Sequence, residues 1–470
     1  MRATGKPFDI EKKRVYEAYK AVKSNGGAAG VDGQTIEQFE ADLKNNLYKI
    51  WNRMSSGTYF PPPVRAVSIP KKSGGQRILG VPTVADRVAQ MVVKHVIEPD
   101  LDPVFLPDSY GYRPRKAALD AVGVTRERCW KYDWVLEFDI KGLFDNIDHT
   151  LLLRAVRKHV TCKWALLYIE RWLTAPMVQE DGTIIERSRG TPQGGVVSPI
   201  LSNLFMHYAF DLWTTRTHPD LPWCRYADDG LVHCRSERET EALRAELQAR
   251  LAECHLELHP TKTKIVYCKD GKRKATYPNV KFDFLGYCFR PRWVKRLRDN
   301  TMFCGFNPAV SPAALKTMRS AIRDLGIRHR TQMSLADIAR QINPLFTGLD
   351  RILRAIRALG AAPCAPTRQP DASGLGEAEV QALCCSQDPR ESLSPKHRKE
   401  QRRTLRALAD RDDRHVCLMG AECGESLTLG SARGWWCNSV GLLTPISAVG
   451  HGAAGFCSFG GPDATVNGPR

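Results

Sequence analysis

The tetrapeptide Tyr226-Ala227-Asp228-Asp229 constrains the fold of this chain more than any other feature. It lies between two short apolar runs, Pro222-Trp223-Cys224-Arg225 and Gly230-Leu231-Val232-His233-Cys234. That pattern predicts strand, tight turn, strand, with two adjacent carboxylates at the tip. Like charges side by side repel, so a turn that presents both needs a counter-charge. A divalent metal is the usual one, because hard oxygen ligands suit Mg²⁺. Alone, an Asp-Asp pair at a turn also reads as a solvated hairpin tip. The rest of the chain decides between the two.

A chain of 470 residues is long enough for two or three domains, and a 43% hydrophobic content supports a packed core. Lys and Arg number 69 against 51 acidic residues, a formal net charge of +18. Such an excess points to a polyanionic partner, most simply nucleic acid, against the plainer reading of a basic protein kept soluble by charge. None of the 15 cysteines forms a Cys-x-x-Cys pair, and neither Cys384-Cys385 nor the Cys417 to Cys423 spacing matches a zinc pattern. The N-terminus leads straight into charged residues without a secretory signal, and no apolar run is long enough to cross a membrane. Reduced thiols, a cytoplasmic location and no membrane partner are therefore expected.

Residues 8–60 read as helical and basic, with a glycine-rich break at Gly26-Gly27-Ala28-Ala29-Gly30. Val64 to Pro70 alternates as a strand, Lys71 to Arg77 makes a basic turn, and Ile78 to Val81 returns, a hairpin with cations at its tip. Residues 83–130 look helical, interrupted at Pro99, Pro103 and Pro107. Trp134 to Ile140 is the next strand, residues 150–175 are helical, and Ser198 to Trp213 is a helix with a serine cap and Pro199 behind it. Ser236 and Glu239 form a capping box for a helix over 237–254. Lys262 to Tyr267 reads as a strand, and Phe282 to Tyr287 as the start of another. The fold class is α+β, a sheet with helices packed on one face. Residues 311–347 are helical and basic again, and beyond about residue 349 helical periodicity fades.

Asp139 ends an apolar strand, 89 residues before Asp228. Alone it also reads as a turn or cap aspartate. On a strand beside the Asp-Asp hairpin, it would bring three carboxylates to two divalent ions, the arrangement that stabilises the attacking and leaving oxygens of an in-line phosphoryl displacement.

At this point several motifs resemble those of reverse transcriptases encoded by bacterial group II introns. Phe138-Asp139-Ile140-Lys141-Gly142-Leu143-Phe144-Asp145-Asn146-Ile147-Asp148-His149 resembles the first catalytic motif of that family. Thr191-Pro192-Gln193-Gly194-Gly195-Val196-Val197-Ser198-Pro199 is similar to the second, and Tyr226-Ala227-Asp228-Asp229 to the third. Ile69-Pro70-Lys71-Lys72, Arg77 to Thr83, Ser109 to Pro114, Lys262-Thr263-Lys264 and Phe284 to Tyr287 extend the likeness over about residues 25–347.

The resemblance implies a right-hand polymerase fold of fingers, palm and thumb, acting as an RNA-directed DNA polymerase. Asp139, Asp228 and Asp229 would bind two Mg²⁺ ions, with the Ile140 carbonyl as a further ligand. Phe144 would exclude a 2′-hydroxyl, although the same ring reads as core. Gln193 would contact the template base pair or the incoming nucleotide, with Gly194 and Gly195 allowing close backbone approach. Lys71 and Arg77 would clamp the triphosphate, Lys262 would protonate the departing pyrophosphate, and Phe284, Leu285 and Gly286 would grip the primer. The domains implied are an N-terminal extension over 1–60 that holds RNA, fingers and palm over 61–290, and a thumb over 291–348. Partners would be intron RNA, a DNA primer or target, and deoxynucleoside triphosphates.

The family continues into a maturase domain near a Gly-Trp-Ile-x-Tyr-Tyr-Gly-Arg-Tyr motif. Here Leu349-Asp350-Arg351-Ile352-Leu353-Arg354-Ala355-Ile356 stands instead. One permitted choice of codons for that octapeptide, CUG-GAU-CGA-AUA-UUA-CGG-GCG-AUA-C, would spell Trp-Ile-Glu-Tyr-Tyr-Gly-Arg-Tyr if read one base later. A frameshift near residue 348 is the reading, which makes 349–470 a degenerate tail. Two rivals stand beside the polymerase: an RNA-binding splicing cofactor without synthesis, and an inactive decayed copy.

Overall fold

Trp134, Leu136 and Phe138 alternate with Val135 along one short strand, and all four are buried. Successive side chains point to opposite faces, so such a strand needs cover on both sides. The computed structural model provides it. The structure describes residues 6–70, 75–295 and 301–326, with isolated positions 334, 337, 339, 340 and 343.

The N-terminal elements are α1 (Lys12–Asn25), α2 (Ile36–Ala41), α3 (Leu43–Ser56), β1 (Val64–Pro70), β2 (Gln76–Val81), α4 (Val84–Leu101) and α5 (Ala118–Cys129). There follow β3 (Trp134–Phe138), α6 (Leu143–Asn146), α7 (His149–His159), α8 (Lys163–Thr174), β4 (Met177–Val178) and β5 (Ile184–Ile185). Next come α9 (Ser198–Met206), α10 (Leu212–Thr217), β6 (Trp223–Tyr226), β7 (Asp229–Cys234), α11 (Glu237–Glu253) and β8 (Lys264–Tyr267). The chain then runs through β9 (Phe282–Phe284), β10 (Tyr287–Lys295), β11 (Met302–Val310) and α12 (Pro312–Asp324).

The central sheet has the order β6-β7-β3-β8 and is antiparallel throughout. Trp134, Leu136, Phe138, Val232 and Cys234 share one buried cluster with Leu243, Leu247 and Leu251 of α11. Val135, Cys224, Leu231 and Val266 share another with Ala121 and Val122 of α5 and with Phe282, Phe289 and Phe306 of the β11-β10-β9 sheet. Helices therefore cover both faces of the sheet, where the pattern predicted one. The cause is β3 itself, whose apolar side chains leave neither face fit for water. A second sheet, β2-β1-β4-β5, carries the expected basic hairpin. Val15, Ala18, Tyr19 and Val22 of α1 pack against the buried residues of α4.

Five local expectations are corrected. Pro99 lies within the last turn of α4 instead of interrupting it, where the buried Ile97 and Leu101 keep the helix docked. Residues 150–175 form two helices, parted at Val160 to Cys162. Ser198 does not cap α9: Val197 is the cap residue, and the Ser198 hydroxyl accepts from Thr191 Oγ1 at 2.7 Å. Phe282 to Tyr287 is a strand turning into the next, with Leu285 and Gly286 both at positive φ. Ser236 does cap α11, but Glu239 reaches the Arg235 N–H, which leaves the capping box half made. The eight cysteines among the described residues are all free, and no helix there is long and apolar enough to cross a membrane. Lys71, most of the expected thumb beyond residue 326, and all of 349–470 lie outside the described residues.

Candidate active site

The β6–β7 hairpin closes on the pair Tyr226 and Asp229, which leaves Ala227 and Asp228 as the two turn residues. Ala227 sits at φ 58, a left-handed conformation that costs a non-glycine residue about 1–2 kcal/mol. Two glycines surround this turn for steric reasons. A Cβ on Gly111 would lie 2.4 Å from the Ala227 nitrogen, and one on Gly230 would lie 2.1 Å from the Phe138 ring.

Antiparallel pairing of β3 with β7 ends at Phe138 and Gly230. One residue further, Asp139 emerges opposite Asp229, which brings together the three carboxylates expected from the sequence. Asp139 is only 6% exposed. Burial first, then the charge of Asp139, pushes Asp228 up to about 6. Burial, then Asp228 and Asp139, pushes Asp229 well above the usual carboxylate range. Asp228 Oδ1 is buried without a partner in the protein. Hard oxygens that raise one another's proton affinity, one of them orphaned, suit a divalent cation. The three side chains are neighbours, not a closed cage: among the described residues no group of three His, Cys, Asp or Glu is arranged to hold a metal ion.

Lys262 donates to Asp139 Oδ2 at 2.7 Å. Burial works against its ammonium, but the bond to Asp139 and the charges of Asp229 and Asp228 outweigh it, so its pKa lies above the ordinary lysine value. Sequence reasoning overlooked Glu137, two residues before Asp139 on the same face of β3. Burial, opposed by Lys264, pushes its carboxyl up to about 7, and its Oε2 is buried and unpartnered. The Ile140 side chain is core, and the backbone around it is tied down by Lys141 N–H to Glu257 O at 2.9 Å and His259 N–H to Asp139 O at 2.8 Å.

A second group stands beside the first. Gln193 Nε2 donates to both Asp145 oxygens at 3.0 Å, while its Oε1 accepts from Arg77 Nε. Its backbone carbonyl accepts the Gly80 N–H at 3.0 Å. Gly194, at φ 131, leaves a Cβ site 2.7 Å from the Gly80 carbonyl, the close approach expected of it. The buried Phe144 is fixed through its carbonyl, which accepts the Thr191 N–H at 2.6 Å. Arg77, Gln193, Asp145 and Phe144 are thus joined across residues far apart in sequence. Phe284 is buried in the cluster that holds Val135 and Leu231, and Leu285-Gly286 turns beside it, with the Gly286 carbonyl accepting from Ser311 N–H at 2.9 Å.

The largest omission of the sequence reading is Arg225. In the sequence it reads as one more strand residue, yet its side chain is wholly buried beneath the turn and ion-paired with Asp211. An arginine inside an apolar strand was the available signal.

A family model described as reverse transcriptase (RNA-dependent DNA polymerase) matches residues 69–289. Protein YkfC of Escherichia coli K12 is 31% identical over 299 residues, covering 54% of this chain and 77% of that one. The group II intron-encoded protein LtrA of Lactococcus lactis subsp. cremoris is 34% identical over 195 residues, 41% of this chain and 32% of its own. The putative COX1/OXI3 intron 1 protein of Saccharomyces cerevisiae is 30% identical over 189 residues, 40% of this chain and 22% of its own. The chain thus spans a third or less of these two intron-encoded relatives.

Proposed function

Because this chain belongs to the reverse transcriptases encoded by group II introns, we propose that it extends a DNA primer on an RNA template with deoxynucleoside triphosphates, in the copying of its intron into DNA. The observation that carries the reading is the β3–β7 register, which delivers Asp139 opposite Asp229 and beside the orphaned Asp228 oxygen. Asp139, Asp228 and Asp229 would hold the metal, with the Ile140 carbonyl as a further ligand. Mg²⁺ held by these residues would lower the pKa of an attacking hydroxyl and neutralise charge on the leaving pyrophosphate.

The remaining residues bind and orient. Arg77 meets the triphosphate, and its tie to Gln193 sets that amide against the nascent base pair. Phe144 closes the sugar pocket against a 2′-hydroxyl, held in place by its carbonyl bond to Thr191. Lys262 stays protonated beside Asp139, so it has a proton to offer the departing pyrophosphate. The turn at Leu285 and Gly286 supports the primer end. The +18 charge of the chain attracts the RNA backbone.

Asp228→Asn removes one metal-binding charge while keeping the side chain's shape. Primer extension on an RNA template falls at least about 1,000-fold, and RNA affinity in a filter-binding assay is kept. A variant that still polymerises at the parental rate overturns the metal assignment. A protein that binds RNA and aids splicing but never extends a primer, with Asp228 intact, establishes the rival splicing role instead.

A further inference from the structure

A buried cation costs several kcal/mol unless it is paired and fully hydrogen-bonded. Arg225 and Asp211 are both wholly buried. The guanidinium has five N–H donors and meets five acceptors. Nε donates to Asp211 Oδ1 at 2.7 Å, and Nη2 to Asp211 Oδ2 at 2.7 Å, a bidentate fork. Nη2 also donates to Ser109 Oγ at 2.9 Å. Nη1 donates to Asn203 Oδ1 at 3.1 Å and to the Ala227 carbonyl at 2.9 Å.

These acceptors gather four separate parts of the chain. Asp211 ends the π-helical turn His207–Asp211 between α9 and α10, a local irregularity that supplies the carboxylate Arg225 requires. Asn203 lies on α9 and donates a hydrogen bond from its own Nδ2 to the Gly111 carbonyl. Gly111 abuts the Ala227 nitrogen. Ser109 comes from the loop whose backbone brackets Arg225, with Arg225 N–H to Asp108 O at 3.0 Å and Tyr110 N–H to Arg225 O at 2.8 Å.

We infer that Arg225 and Asp211 are positioning residues: their buried pair clamps the Ala227 carbonyl, holds Ala227 left-handed, and so presents Asp228 and Asp229 to the metal. The inference rests on the reverse transcriptase reading of the site. Lysine cannot replace arginine here, because it brings three donors without the planar fork.

The test uses the full chain and two readouts. Primer extension reports kcat and the nucleotide KM. Mn²⁺ titration followed by electron paramagnetic resonance reports metal affinity without catalysis. Arg225→Lys lowers kcat about 100-fold, leaves KM within about threefold, and raises the Mn²⁺ midpoint about tenfold. Adding Ala227→Gly, which removes the cost of the left-handed turn, recovers about tenfold of the lost kcat. A merely structural role would scale activity with the folded fraction, leave the Mn²⁺ midpoint unmoved and show no such rescue.

A folded Arg225→Lys protein with kcat and Mn²⁺ midpoint within about twofold of the parent overturns the clamp. Should that variant fail to fold, Ser109→Ala, which deletes a single neutral acceptor, is read the same way: a midpoint shift of about threefold supports the clamp, and an unchanged midpoint overturns it. A parent that extends no primer defeats the proposed function alone, because the Mn²⁺ midpoints still decide the clamp.

Discussion

Gly230 offers a sharp test of how the sheet presents the site. Its backbone lies in ordinary extended space, so no left-handed conformation demands glycine there. The demand comes from Phe138, the last paired residue before Asp139, whose ring atoms would lie 2.1, 2.5 and 2.7 Å from a Cβ at residue 230. Phe138 is 1% exposed and packs on Phe210 with ring centroids 4.8 Å apart. Gly230→Ala must therefore push the ring into a filled core. Overpacking costs about 1–3 kcal/mol, and losing the aromatic pair costs about 0.5–1.5 more. Alanine returns about 0.5–1 kcal/mol by restricting the unfolded chain. The net loss spans about 0.5–4 kcal/mol and centres near 2, which is roughly 4–8 °C in melting temperature for a domain of this size. Circular dichroism melting measures it directly. Phe138→Leu in the same chain vacates the space, so the double variant should regain part of the loss, a coupling typical of residues in contact. A single variant that melts with the parent, or a double variant as weak as the sum of its parts, refutes the steric account.

Two further outcomes follow from other residues. His233 is fully buried with neither ring nitrogen partnered, and burial, aided by the Arg128 charge, pushes it down to about 3. Its folded pKa lies below its unfolded value, so the unfolded chain takes up the proton first. Stability is whole above about pH 6.5 and declines as pH falls toward 3, by about 2 kcal/mol from this residue at about pH 5. His233→Leu should flatten the melting profile between about pH 7.5 and pH 5, and an unchanged slope denies the assignment. At the other end of the chain, the gene itself tests the frameshift: codons 349–356 should read Trp-Ile-Glu-Tyr-Tyr-Gly-Arg-Tyr one base later, and codons that cannot do so exclude it.

The parts of the site readable from sequence were those written as local pattern. The Asp228-Asp229 turn, the strand ending at Asp139 and the basic β1–β2 hairpin each announce themselves within about ten residues, because alternation and turn chemistry are local. Contacts that depend on crossing the fold were not readable. Nothing near Asp145 says that it will hold Gln193, and nothing near Asp211 says that it will neutralise Arg225. Both depend on which elements become neighbours. The cover on both sheet faces is a different matter: the place of Val135 between Trp134 and Leu136 already requires a second buried face, which a one-faced sheet does not provide. The left-handed Ala227 was illegible as well, since alanine carries no signal for positive φ and is held there by Arg225 from below.

The pairing of Arg225 with Asp211 also settles how a cation can support this turn without spoiling it. An uncompensated guanidinium reaching the Ala227 carbonyl would oppose the binding of a divalent ion at the next two residues. Asp211 balances that charge within the core, so the buried pair is neutral as a unit. The carboxylates of Asp139, Asp228 and Asp229 then remain net negative, with Lys262 their one ion-pair partner among the described residues. The excess of 18 positive charges belongs to the chain as a whole. A molecule that is positive overall and negative at one buried point separates its two electrostatic tasks. On the proposed function, the overall charge would collect a polyanionic strand from solution, and the interior carboxylates would retain the small cation that the strand's chemistry requires.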